Sequence, residues 1–284
     1  MKYATGAAFR AALEERLRRT AAEQGDLALL RLRRLVVFDR LLARLLVVAP
    51  DRWVVKGGLA LDLRLGDRAR TTRDLDLARR DTEEATMADL IAAQAVDLGD
   101  FFTFAIRRTG ALDVATEGAA VRYHATAALA GRRFEHVIID IGFGQPILGT
   151  PDRLRGSDIL GFAGIEPIEV PALPLEQQVA EKLHAYTRTY GQAREKSRVK
   201  DLVDLVLIPS TARFGAGRLR EAIDLTFTSR NTHAVPVALP SPPATWAVAF
   251  TTTCGRSWIQ PRPCLRAPTG CRFRRSPPRR YDPR

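Results

Sequence analysis

The chain has 284 residues, 46% of them hydrophobic, with a formal net charge of +12; that length holds one large or two modest domains, and the composition is ordinary for a globular protein. No run of about 18 uncharged apolar residues occurs, which excludes a transmembrane helix. The N-terminal MKYATGAAFRAALEERLRR becomes charged too early for a signal peptide, so the expected compartment is the cytoplasm, with no membrane partner.

The first two elements read as helices. Residues 6–22 are rich in Ala, Leu, Glu and Arg, with Phe9, Ala12, Leu13 and Leu17 on one stripe. Residues 27–48 are apolar around much of their girth and end at Pro50, which suits a helix packed in a core. A short apolar strand, Trp53-Val54-Val55, then runs into Lys56-Gly57-Gly58 and an amphipathic segment with Leu59, Leu61, Leu63 and Leu65. After a basic turn comes Asp74-Leu75-Asp76-Leu77, alternating polar and apolar as a half-buried strand does.

A helix is expected from about residue 81 to 98, opened by Asp81-Thr82-Glu83-Glu84. Strands follow at 101–107, 120–129 and 134–143, with turns at Gly110 and Gly131. The four prolines of residues 144–172 read as a loop-rich link. Helices are expected again at 175–190, from Lys200 onward, and at 213–227. The expected organisation is α/β. An N-terminal helical pair (1–50) precedes a core with a mixed sheet (51–150), a C-terminal helical region (151–230) and a Pro/Arg-rich, irregular tail (231–284).

That tail carries much of the charge. Residues 251–284 hold nine Arg and one Asp, a balance of +8, which leaves +4 on the preceding 250 residues. The body is therefore only mildly basic, and the whole-chain charge overstates the case for nucleic-acid binding. Cys254, Cys264 and Cys271 all lie there with no His nearby and in no common zinc spacing. The composition fits either an out-of-frame or truncated end or a basic arm that binds RNA.

The chemistry concentrates between Val54 and Leu77. Strand alternation puts Asp74 and Asp76 on one face, about 6.5–7 Å apart along the strand. Two adjacent carboxylates repel unless a cation lies between them, and hard ions such as Mg²⁺ choose such ligands and also bind phosphate oxygens. Gly57 and Gly58, at a turn into a helix, leave backbone N–H groups open to phosphate. A phosphate cradle beside a carboxylate pair suggests phosphoryl or nucleotidyl transfer. Asp140, inside the apolar run Val137–Ile141, is costly to bury unpaired; it is either a strand-end aspartate capping the turn at Gly142 or a third carboxylate of the same site.

In that order, Gly-Gly, helix, basic residues and D-x-D resemble the active-site signature of the DNA polymerase β-like nucleotidyltransferase superfamily. The wording K-G-G (56–58), L-R-L-G (63–66) and R-T-T-R-D-L-D-L (70–77) resembles the AbiEii/AbiGii-type toxins of bacterial toxin–antitoxin and phage-exclusion systems. The segments A-E-K-L-H-A (180–185) and R-x-K-D-L-V-D-L (198–205) resemble the same branch. The resemblance favours Asp140 as the third metal ligand and implies that Lys182 binds nucleotide phosphates and that Asp201, with Asp204 second to it, is needed for activity.

On this reading Asp74, Asp76 and Asp140 hold two Mg²⁺ ions (or Mn²⁺), with Asp140 also a candidate general base. Gly57, Gly58, Lys182 and Arg73 hold the NTP; Lys56, Arg64 and Arg70 are lesser candidates. The resemblance implies a toxin that transfers NMP to an RNA acceptor, the 3′ end of tRNA, and so blocks translation, with a cognate antitoxin as partner. Two other readings remain: a nucleotidyltransferase acting on a small molecule such as an antibiotic, and a catalytically silent nucleotide- or RNA-binding module. The four histidines receive no chemistry.

Overall fold

The computed structural model describes residues 1–24, 28–111, 120–189 and 198–254. Two helices come first, α1 (Gly6–Gln24) and α2 (Ala28–Val48). Then follow β1 (Val54–Lys56), α3 (Gly57–Leu65), β2 (Asp74–Arg79) and α4 (Glu83–Ala95). The Thr82 hydroxyl accepts from the Ala85 N–H and caps α4. The long strands β3 (Phe102–Ala111), β4 (Ala120–Leu129) and β5 (Arg132–Phe143) are followed by the short β6 (Asp152–Arg155) and β7 (Glu169–Ala172). The remaining helices are α5 (Leu175–Thr187), α6 (Val199–Thr211), α7 (Ala216–Arg230) and α8 (Ala247–Cys254).

The seven strands form one mixed sheet in the order β3-β4-β5-β2-β1-β7-β6. The pairs β2/β5 and β1/β7 are parallel and the others antiparallel. Alternate residues of β4 and β5 (Val121, Tyr123, Ala125, Val137, Ile139, Ile141) are buried in one cluster with Phe9, Leu13 and Leu17 of α1 and Val36, Phe38, Leu41 and Leu45 of α2. Buried ion pairs reinforce this layer: Arg44 grips Asp100 with both nitrogens, at 3.0 and 2.7 Å. No described helix is long and apolar enough to cross a membrane.

Packing crosses the divisions expected at residues 50 and 150. The N-terminal helices share the sheet's core, and the proline-bearing link supplies β6 and β7. Pro171 has no N–H to give, and β7 meets β1 instead at Ala172 and through the Leu173 N–H, which donates to Val55 O at 2.8 Å. The stretch expected to be irregular beyond residue 231 contains α8, held by Trp246, which is buried with Tyr186, Val199 and Val203. Tyr186 also donates to Pro240 O at 2.7 Å. Two aromatic anchors thus order a segment whose composition reads as loop. Residues 255–284, with Cys264 and Cys271, lie outside the described residues, as does most of the basic run at 194–200.

Candidate active site

The turn from β1 into α3 lies directly against β2. Gly57 has φ +61°, the left-handed region that favours glycine, and a Cβ built on it would stand 1.9 Å from Asp76 Oδ2. A Cβ on Gly58 would stand 2.5 Å from Thr72 Oγ1. Both glycines are therefore required by close approach of the following strand. No side chain caps the start of α3, so its first-turn N–H groups have no side-chain acceptor at the cap. The Gln178 amide of α5 donates to Gly57 O at 2.5 Å and ties the turn to the C-terminal helices.

Sheet register aligns the acidic residues. Lys56 is opposite Asp76, Asp76 opposite Asp140, and Asp140 opposite Arg122 of β4. Asp74 stands on the same face of β2 as Asp76, opposite Ile138. Burial pushes the Asp76 carboxyl up to about 6; Lys56 and Lys182 pull it down, and Asp140 and Asp74 push it further up. Loss of hydration is thus the main reason this carboxyl holds its proton, with Lys56 the strongest neighbour opposing it. Asp140 itself is gripped by Arg122, Nε to Oδ1 at 2.8 Å and Nη2 to Oδ2 at 2.7 Å. Among the described residues no group of three His, Cys, Asp or Glu side chains is clustered closely enough to hold a metal ion. The three aspartates are neighbours by register, with the Asp140 carboxylate turned to Arg122.

A second charged cluster closes over this end of the sheet from α5 and α6. Lys182 Nζ lies 2.6 Å from Asp204 Oδ2 and 3.6 Å from Asp201 Oδ1. Arg70 reaches Asp204 through Nε (3.0 and 3.1 Å) and Nη2 (2.9 Å), and Arg198 pairs with Asp201 at 3.1 Å. Burial alone would lower the Lys182 pKa, but Asp204 and Asp201 outweigh it and raise it. Burial works likewise against the charged form of Asp204, and Lys182 and Arg70 win, holding its pKa down. Lys200, at the start of α6, is exposed; loss of hydration and the neighbouring Arg70 lower its pKa, while Asp74 raises it. Asp74, Arg70, Arg73 and Lys200 therefore share one electrostatic neighbourhood.

The lesser candidates separate by role. Lys56 faces Gln145 at 3.4 Å beside Asp76. Arg64 is a strut, binding Gln178 Oε1 at 2.8 Å, Asp152 at 2.7 Å and Leu173 O at 2.7 Å. Arg73 is exposed and has no ion pair or hydrogen bond among the described residues. His184 shares a hydrogen bond with Thr232 at 2.7 Å, and burial, then Arg230, bring its pKa down to about 3. Sequence reasoning passed over Arg122, Thr72 and Gln178. For Arg122 a signal existed: counting outward from the Ala130–Gly131 turn places it opposite Asp140 to within one residue.

A mixed sheet with a Gly-Gly turn, a helix and paired aspartates in this arrangement is the architecture of a nucleotidyltransferase. The family model described as "Nucleotidyl transferase AbiEii toxin, Type IV TA system" matches residues 40–255, and the chain belongs to that family of toxin–antitoxin nucleotidyltransferases. Among solved structures, the chain is similar to MenT4, a nucleotidyltransferase toxin from Mycobacterium tuberculosis H37Rv. That match has 21% identity and a TM-score of 0.54, over 80% of this chain and 75% of that one. Weaker likenesses are JHP933 from Helicobacter pylori (16% identity, TM-score 0.39, covering 70% of this chain and 90% of that one) and an antigenic nucleotidyltransferase-like protein from Paracoccidioides brasiliensis (19%, 0.40, covering 69% and 88%). No curated protein sequence matches.

Proposed function

We propose that this nucleotidyltransferase is metal-dependent and transfers NMP from an NTP to the 3′ end of tRNA, blocking translation until its antitoxin intervenes. The observation that carries the metal dependence is the register that sets Asp76 between Asp74 and Asp140, beside the Gly57–Gly58 turn, with the Asp76 carboxyl costly to ionise there without a cation. That donor set is all oxygen, which suits Mg²⁺ or Mn²⁺.

Asp74 and Asp76 would hold the ions, joined by Asp140 once Arg122 releases it. Bound there, a divalent ion supplies charge neutralisation and lowers the pKa of a coordinated hydroxyl. Gly57 and Gly58 bind phosphate oxygens through backbone N–H groups. Arg73 and Lys200 lie in the open beside Asp74 and neutralise the triphosphate. Lys182 is paired with Asp204, so its first task is to hold α5 and α6 over the nucleotide, with phosphate drawing it away from Asp201. Asp140 accepts the proton of the acceptor hydroxyl.

Label transfer tests this reading. The protein is incubated with each α-³²P-labelled NTP, Mg²⁺ and total bacterial tRNA, beside Asp74→Ala and Lys182→Ala. Label entering tRNA from the wild type, abolished by EDTA and by Asp74→Ala, is the expected result. Label entering an aminoglycoside or another small acceptor instead would replace RNA with a small-molecule substrate. NTP binding without transfer to any acceptor would leave a silent module.

A further inference from the structure

The three long strands have two unlike faces. One is buried under α1, α2 and α4. The other carries Arg122, His124, Thr126 and Ala128 of β4, His136, Ile138 and Asp140 of β5, and Thr103, Ala105 and Arg107 of β3, all half-buried or exposed. Register sets these in rows. Arg107 is opposite His124, His124 opposite Ile138, and Ile138 opposite Asp74; one step along, Thr126 is opposite His136. The His124 and His136 rings lie 5.0 Å apart, nearly perpendicular. Arg107 is exposed and makes no ion pair or hydrogen bond among the described residues. At about 4.8 Å between strands, Arg107 lies about 14 Å from Asp74 across the sheet.

A cationic and imidazole-bearing row that ends at the reacting carboxylates has the chemistry of a single-stranded nucleic-acid platform. Arginines meet phosphates, flat side chains stack on unpaired bases, and a pleated sheet spaces them regularly. The core of a protein docking surface is instead enriched in Tyr, Trp, Phe and Met, and the residues named above include none of these.

Resting on the RNA-acceptor reading above, we propose that the open face of β3–β4–β5 is the acceptor subsite. Arg107, His124 and His136 guide the unpaired 3′ strand of RNA across the sheet, so that its terminal hydroxyl arrives at Asp74, Asp76 and Asp140. Arg107 holds backbone phosphate, and the two imidazoles contact the bases next to the terminal nucleotide.

The test compares wild type with Arg107→Glu and with the double variant His124→Ala/His136→Ala. Arg122 is left intact because it also holds Asp140. Fluorescence anisotropy measures binding of a labelled RNA oligonucleotide matching the single-stranded 3′ end of tRNA. Thermal shift with NTP and Mg²⁺ reports the nucleotide site and folding. The expected result is oligonucleotide binding weakened tenfold or more in both variants, a matching rise in KM for tRNA in label transfer, and an unchanged nucleotide shift. Wild-type transfer to tRNA with unaltered KM and binding in both variants overturns the acceptor subsite and leaves the RNA-directed reaction standing. Wild type that neither binds the oligonucleotide nor labels any RNA overturns the RNA reading, and the subsite with it. Variants that keep RNA binding but lose a purified antitoxin assign the face to protein docking and equally overturn the proposal.

Discussion

Two charged clusters meet at one end of this sheet, and they differ in how their charge is balanced. Around Asp204, buried Lys182 and half-buried Arg70 both reach one buried carboxylate at hydrogen-bond distance, while Asp201 stands 3.6 Å from Lys182 and is tied off by Arg198. Around Asp76, three carboxylates sit side by side by register, with Lys56 near one and Arg122 gripping another. The first cluster is complete and braces α5 and α6 against the β2 approach. In the second, burial outweighs the help from Lys56, and the Asp76 carboxyl is pushed up to about 6. On the proposed reading the reacting centre is therefore the cluster whose carboxylate is costly to ionise, and the fully paired cluster is the brace.

Breaking the complete cluster has the largest expected effect on folding. Asp204→Ala leaves half-buried Arg70 without its carboxylate and Lys182 with only the more distant Asp201, and removing one partner of such a buried network costs about 3–5 kcal/mol. Urea unfolding checks this, with a loss below about 1 kcal/mol showing that water reaches the cluster. Asp204 has a lowered pKa, so the stability it contributes is present above the ordinary carboxylate range and lost as pH falls through its folded value.

The Asp76 cluster is expected to respond in the opposite direction. The folded pKa of Asp76 stands near 6 against an ordinary 3.8, so the native state binds the extra proton. Its contribution to stability is full below about 3.8 and is lost as pH rises toward and through 6. Asp76→Asn removes the cost of burying an ionised carboxyl there and stabilises the metal-free protein at pH 7 by about 2 kcal/mol, a shift of two units being worth nearly 3 at most. The same variant abolishes transfer. A lower melting temperature for Asp76→Asn at pH 7 without metal would break the contrast between the clusters.

Gly57→Ala sharpens it from the backbone side. The left-handed φ and the 1.9 Å approach to Asp76 Oδ2 both oppose a Cβ, and a strained residue of this kind costs about 1–3 kcal/mol. Gly66→Ala, at φ +58° and ψ −133° with nothing within 4 Å, carries the backbone strain without the clash and is the control, expected to cost about 1–3 kcal/mol with no loss of transfer. The smallest effect belongs to the exposed pair Arg153–Asp51, where Arg153→Ala changes stability by less than about 1 kcal/mol.

Much of this contrast was legible before folding. D-L-D-L alternation at 74–77 and the apolar run around Asp140 determine which residues share a face, and those strands pair in the register that brings them together. Gly57 and Gly58 were legible as a turn, but their closest constraint, the Asp76 carboxylate and Thr72 hydroxyl, depends on tertiary approach. Arg122 was missed because its partner shows only when the hairpin is counted outward from the Ala130–Gly131 turn, which local propensity does not do. β6 and β7 were hidden by prolines, which local propensity reads as breaks although edge pairing tolerates them. α8 was hidden by its setting, since the burial of Trp246 depends on Tyr186, Val199 and Val203, 43 to 60 residues upstream in the chain.

The most direct test of the contrast is calorimetric titration of Mn²⁺ into the protein with a non-hydrolysable NTP analogue. Wild type, Asp76→Asn and Gly66→Ala are compared at pH 7. The account predicts saturable binding by wild type and Gly66→Ala and none by Asp76→Asn. Binding of equal strength in Asp76→Asn, or none in the wild type, would contradict it.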